Sequence, residues 1–157
     1  MPIADLLIAG RIVMLTEATS RDLVLDAAAR LLADASPAMT PVIGSALRER
    51  EALGSTAIGH GVAIPHARSK ASSVARGAFL RLARAVDFGA RDHAKVDLVF
   101  AMSVPEHASQ EHLAILAELA ERFSDAGFRD ALRDARDVRA LHAVLLGLPQ
   151  PTMAMMH

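Results

Sequence analysis

The sequence predicts a layered α/β domain in which one sheet is covered by helices on both faces. Three observations carry this expectation. Strand-like and helix-like patterns are intermixed along the chain, not gathered into separate halves. The 157 residues, 52% of them hydrophobic, suffice for one packed core. Alanine fills 32 positions while five Phe are the only aromatics, a composition suited to helices packed closely through small side chains.

The elements follow in order. Arg11 to Leu15 is a short apolar run with strand character. Ser20-Arg21-Asp22 then supplies an N-cap and a first-turn carboxylate for a helix through about residue 35, with Val24, Ala27, Ala28, Leu31 and Leu32 as its core stripe. A second helix is predicted from Pro41 to Leu53, with Thr40 as cap, Pro41 at the first helical position and Gly54 as a left-handed stop. The glycines after it read as a turn leading to a short strand, Val62 to Ile64. Gly77 to Ala83 and Val96 to Ser103 are the stronger strand candidates, joined through a turn at Asp87-Phe88-Gly89. Three helical patterns close the chain, at Ser109 to Ser124, Gly127 to Asp134 and Val138 to Leu146. Residues 149–157 hold two Pro and three Met without periodicity, so a single domain over 1–148 with a disordered tail is expected.

Composition also excludes function classes. With 17 basic against 18 acidic residues the net charge is -1, which leaves no excess positive charge to drive binding to nucleic acid or an anionic membrane. The absence of Cys removes any disulfide framework, thiolate zinc site or cysteine nucleophile. The longest apolar stretches fall well short of the roughly 18 residues a spanning helix needs, and no N-terminal signal is legible, so a cytoplasmic protein is expected. Seven His are left as the main source of chemistry.

The segment from Arg50 to Arg68 is the most informative. Gly54, Gly59 and Gly61 let the backbone turn tightly, and Pro65 biases Ile64 toward an extended conformation just before His66. An extended Val62 to His66 would project His66 from the end of a buried strand, a rigid place for a reactive group. The plain alternative is a hydrogen-bonded structural histidine. Arg50 lies in line with Ile43, Ala46 and Leu47 on the core-facing stripe of its helix, so its permanent charge needs an anion, either a carboxylate or a phosphate-like group. His112 falls in the first turn of the helix capped by Ser109, where free N–H groups favour an anion and a neutral imidazole. His60, between two glycines, is a candidate pocket neighbour. His93, His107, His142 and His157 are expected to be structural or solvated. A zinc site on His60, His66 and His112 lacks any HExxH motif or thiolate, and no metal or cofactor is expected.

These residues resemble a known family. Arg50-Glu51, Leu53-Gly54-Ser55-Thr56, Ile58-Gly59-His60-Gly61 and Ala63-Ile64-Pro65-His66, followed by Glu111-His112-Leu113 with Leu116 and Leu119, are similar to the fructose/mannitol-type enzyme IIA of the bacterial phosphoenolpyruvate phosphotransferase system. Its stand-alone nitrogen-regulatory branch is the nearest likeness, and the likeness runs from about Leu6 to Leu146. It implies a three-layer α/β/α sandwich with a mixed central sheet. It also implies that His66 accepts a phosphoryl group from the carrier HPr or its nitrogen-branch counterpart, with His112 as the second active-site histidine and Arg50 holding the phosphoryl group. Backbone N–H groups of Gly59 to Gly61 and the helix start near His112 would add donors. Ala67 departs from the family, which commonly has Gly there, and its methyl would narrow the approach to His66. The absence of Cys and of any spanning segment favours a regulatory phosphoprotein acting through protein partners. The alternatives are a sugar-specific IIA that serves separate IIB and IIC components, and a non-catalytic binding module built on a buried Arg–carboxylate pair.

Overall fold

A computed structural model describes residues 3–34, 36–107 and 110–147, with the side chains of 110–112 outside the description. The amino end forms a short helix α1 (Ile3–Leu6), a single 3-10 turn (Ala9–Arg11) and strand β1 (Ile12–Leu15). Two helices that pack together follow, α2 (Arg21–Ala33) and α3 (Thr40–Leu53), then three short strands β2 (Ala57–Gly59), β3 (Val62–Ala63) and β4 (His66–Ser69). The long strands β5 (Arg76–Val86) and β6 (Val96–Pro105) form the middle of the sheet, and α4 (Gln110–Phe123), α5 (Ala126–Asp134) and α6 (Val138–Leu145) complete the chain.

The caps behave as their chemistry requires. Ser20 Oγ accepts the Leu23 N–H at 3.2 Å and opens α2, while Asp125 and Asp137 accept the N–H groups of Phe128 and Ala140 at 2.8 Å to open α5 and α6. Ser109, the expected cap of α4, lies outside the described residues, as do residue 35 and the tail from 148 onward. Two helix-end expectations are corrected. Thr40 is already helical, because a 3-10 turn at Pro37–Met39 feeds directly into α3. Gly54 is extended, at φ 161°, and not left-handed; the end of α3 is closed by the Gly54 N–H donating to Glu51 O and by Arg50 Nη1 donating to Gly54 O at 2.8 Å.

The sheet is mixed and runs β1-β5-β6-β3-β2, with β4 also paired to β6. β5 and β6 are antiparallel, while β1 lies parallel to β5, and both β3 and β4 lie parallel to β6. Residues 98–104 of β6 are all buried, as a strand covered on both faces must be. On one face α2 and α3 pack Val24, Leu25, Leu32, Ile43 and Leu47 against Leu80, Val99 and Ala101. On the other, α1 and α4 to α6 pack Leu6, Ile115, Leu119, Phe123 and Leu141 against Phe79, Phe100 and Met102. The predicted three-layer sandwich with a mixed sheet is therefore the fold.

The segment between Gly54 and Ser69 is more finely divided than the sequence predicts. Val62 and Ala63 form the second arm of a β2–β3 hairpin, Pro65 interrupts the strand, and His66 begins a separate strand on the same edge of β6. A proline lacks the N–H that a continuous ladder would use, and its carbonyl instead accepts the Met102 N–H at 2.9 Å.

Candidate functional site

The break at Pro65 places His66 at the start of β4, opposite Met102. Its ring is half-buried, and Nδ1–H donates to the Ile64 carbonyl at 2.7 Å. A carbonyl can only accept, so this bond puts the proton on Nδ1 and makes Nε2 the unprotonated nitrogen of the neutral ring. Burial is the main influence holding the His66 pKa below its ordinary 6.5. The bond to Ile64 and the charge of Glu51 oppose that shift, and the charge of Arg50 adds to it.

His66 opens onto a depression of about 550 Å³, lined by Ala46, Glu49, Arg50 and Leu53 of α3 and by His66, Ala67 and Arg68 of β4. A second depression of about 520 Å³ shares Ala46, Glu49 and Arg68 with it and extends along α3 to Pro41 and Val42. Leu53 on the rim is 86% exposed. Ala67 is buried with its methyl in the α2–α3 core, and it also contributes to the floor beside His66.

Arg50 shares this depression, as its place on α3 predicts, but its expected anion is not a buried carboxylate. Arg50 is half-buried, and its guanidinium bonds to the Gly54 carbonyl on the exposed side; among the described residues it makes no ion pair. The buried carboxylate nearby belongs to the next residue, Glu51, only 3% exposed, and it serves Thr56. Among the described residues, Arg50 thus has no partner for the buried Arg–carboxylate pair of the binding-module alternative.

His112 lies in the first turn of α4, the helix that follows the carboxyl end of β6. β4 runs parallel to β6 toward that same end, reaching Pro105 with Ser69. Its side chain lies outside the described residues.

His60 does not join the site. It sits exposed at φ 57° in the β2–β3 turn, between Gly59 at φ 97° and Gly61 at φ 80°. Its N–H donates to Asp92 Oδ2 at 2.8 Å, and its carbonyl accepts from Arg133 Nη2 at 2.7 Å. The Gly61 carbonyl takes the N–H groups of Asp97 and Leu98. This turn therefore lies beside the start of β6, four residues before Met102, or about 13 Å along the strand from His66. Two expectations fall with it: His60 is not a pocket neighbour, and the Gly59 to Gly61 turn is not a phosphoryl cradle. The three-histidine zinc alternative loses a ligand for the same reason. Among the described residues no cluster of His, Asp and Glu could hold a metal, and no helix is long and apolar enough to cross a membrane. His93 and His107 are exposed and His142 is half-buried; His157 lies outside the described residues.

The residues that sequence reasoning missed are Glu51 and Thr56. Both stand in the motif, five positions apart across a helix end, a spacing that lets a carboxylate in the last turn reach back to the N–H of the chain leaving the helix.

The sequence profile of the family described as "Phosphoenolpyruvate-dependent sugar phosphotransferase system, EIIA 2" matches residues 5–147. A nitrogen regulatory protein from Bradyrhizobium diazoefficiens is 37% identical over 154 residues, which is 98% of this chain and 100% of that protein. One from Pseudomonas aeruginosa is 38% identical over 90% of this chain and 93% of its own length. Among solved structures, the nitrogen regulatory protein IIA-Ntr from Neisseria meningitidis superposes with a TM-score of 0.82 at 37% identity, covering 91% of this chain and 98% of that one. IIA mannitol from Escherichia coli shares the fold, with a TM-score of 0.72 at 21% identity over 88% of this chain and 98% of that one.

Proposed function

Since this chain belongs to the EIIA 2 family of the phosphoenolpyruvate-dependent sugar phosphotransferase system, we propose that it is a phosphocarrier whose acceptor atom is Nε2 of His66. One observation carries this reading. The 2.7 Å bond from Nδ1–H to the Ile64 carbonyl makes Nε2 the unprotonated, nucleophilic nitrogen of a half-buried, neutral imidazole.

The step is an in-line exchange of one P–N bond for another. The Nε2 lone pair attacks phosphorus on the phosphohistidine of an HPr-type donor, the donor's P–N bond breaks, and its electron pair returns to the donor's imidazole. The proton stays on Nδ1, donated to the Ile64 carbonyl throughout. Charge on the three phosphoryl oxygens is met by Arg50 and by His112 with the N-terminal turn of its helix, because positioning and electrostatics supply most of the catalysis in phosphoryl transfer. No metal or cofactor enters the step.

A regulatory role is favoured by the two nitrogen regulatory proteins, 37% and 38% identical to nearly all of this chain. Loading His66 adds about two negative charges beside an exposed Leu53, which changes what that surface can bind. The transport reading, with phosphate passed on to IIB and IIC partners, draws on a fructose-specific EIIA component from Haloferax volcanii that is 36% identical over 64% of this chain. Incubation with phosphoenolpyruvate, enzyme I and HPr tests the carrier reading by intact mass. One added phosphoryl group, lost in His66→Ala, is the expected result. An unchanged mass alongside phosphorylated HPr overturns the carrier reading, and undiminished labelling of His66→Ala overturns the choice of acceptor. Efficient onward transfer to a sugar in membrane extracts would decide for transport over regulation.

A further inference from the structure

Resting on the reading of His66 as acceptor, we propose that Glu51 and Thr56 are positioning residues that fix which nitrogen of the His66 ring carries the proton. Glu51 is 3% exposed, and a carboxylate is tolerated at such burial only when its oxygens are bonded. Both are. Oε2 accepts the Thr56 N–H and Oε1 accepts the Thr56 hydroxyl, each at 2.6 Å. The Thr56 carbonyl then accepts the Ile64 N–H at 3.0 Å, and the Ile64 carbonyl accepts His66 Nδ1–H at 2.7 Å. An unbroken series of bonds thus runs from the last turn of α3 to the acceptor ring.

These bonds belong to different peptide planes, joined at the Cα atoms of Thr56 and Ile64, so the series transmits position and not charge. Its neighbours hold it from both sides: Arg50 Nη1 grips the Gly54 carbonyl, and Ser55 Oγ donates to the Phe88 carbonyl at 2.5 Å. Thr56 is therefore the point at which the helix end is tied to the strand that aims the Ile64 carbonyl. If that carbonyl drifts, Nδ1–H loses its partner and the ring populates the Nε2–H tautomer. That tautomer has no lone pair on Nε2.

The test uses the full chain and two readouts, the ¹⁵N shifts of the His66 ring above its titration and the rate of phosphoryl acceptance from phosphorylated HPr. Thr56→Val keeps the β-branch and removes the hydroxyl arm. It is expected to raise the Nε2–H population and to slow acceptance about tenfold, the lower range for losing a partner that orients a functional histidine. Thr56→Ser is expected to restore both. Glu51→Gln keeps the two contacts, because its amide oxygen accepts the Thr56 N–H and its NH₂ donates to Oγ1. It is expected to retain the Nδ1–H tautomer while lowering the His66 titration midpoint, since the carboxylate charge that favours the imidazolium is gone. Wild-type tautomer populations in a folded Thr56→Val overturn the proposal, as does slowed acceptance with the tautomer unchanged. Should Thr56→Val not fold, loss of the Nδ1–H tautomer in folded Thr56→Ser or Glu51→Gln overturns it equally. If wild-type protein accepts no phosphoryl group, the carrier reading fails, and the ring shifts still decide the positioning role.

Discussion

Replacing Gly61 by Ala separates the scaffold from the chemistry. Gly61 sits at φ 80°, in the left-handed region that a residue with a Cβ occupies at a cost of about 1–2 kcal/mol. The added methyl would stand 2.6 Å from Arg133 Nη2 and 2.9 Å from Asp97 Oδ1, inside contact distance, with the Lys95 carbonyl at 3.4 Å. Relief requires the Arg133–Asp97 pair, held at 2.9 Å, to move, and Arg133 Nη2 also carries the bond to the His60 carbonyl. That pair is about 30% exposed on each side, so loosening it costs only about 1 kcal/mol. The expected destabilisation is about 2–3 kcal/mol, or roughly 5–10 °C in melting temperature for a chain of this size. In an Arg133→Ala background the same substitution should cost only the backbone strain, about 1–2 kcal/mol. Thermal denaturation followed by circular dichroism measures both. Because the turn lies about 13 Å along β6 from His66, phosphoryl acceptance at a temperature where the variant is folded should match wild type. An unchanged melting temperature refutes the backbone reasoning, and a folded variant that no longer accepts phosphate refutes the placement of the turn away from the chemistry.

Two further outcomes are expected. Burial, reinforced by the charge of Arg50, holds His66 below 6.5, so acceptance should be on a plateau at pH 7 and decline only as pH falls through that lowered value. The unfolded chain takes up this proton first, so the His66 contribution to folding is complete above pH 6.5 and is lost as pH falls through the folded value; an NMR titration midpoint at or above 6.5 would refute both statements. Arg50→Lys should reduce acceptance about tenfold with little change in melting temperature. Lysine lacks the planar fork that can hold the Gly54 carbonyl while presenting further donors to the depression, and wild-type kinetics in that variant would contradict the role.

The layers were legible because they rest on patterns the solvent enforces. The run from Val96 to Ser103 reads as a strand and Ser20 announces its helix by cap chemistry, whereas the caps at Asp125 and Asp137 became visible only in the structure. Of the candidate site, Arg50 and His66 share one depression, as the motif led us to expect. Its wiring was not legible. Glu51 reads as an ordinary helix-end charge until the fold returns Thr56 to it, and the glycine turn around His60 reads as an anion cradle until Asp92 and Arg133 fill it. The His60 turn depends on contacts 32 and 73 positions away, which no local pattern encodes, whereas Thr56 returns to Glu51 across only five. The division of Val62 to Ser69 into two strands was hidden for a related reason: Pro65 marks a break, but only pairing with β6 shows that the chain resumes the same edge beyond it.

Fifteen of the 17 basic residues are Arg, and several are used as fasteners for main-chain carbonyls. Arg11 holds those of Leu6 and Gly77, Arg129 holds that of Phe123, and Arg81 gathers those of Leu132, Arg133 and Ala135 at the end of α5. Neither a guanidinium nor a peptide carbonyl exchanges a proton at any pH the protein meets. These ties are chemically silent across the range in which the imidazole changes state. These arginine ties are therefore indifferent to acidity, so if acceptance by His66 declines as pH falls, the decline does not come from a softening of these ties.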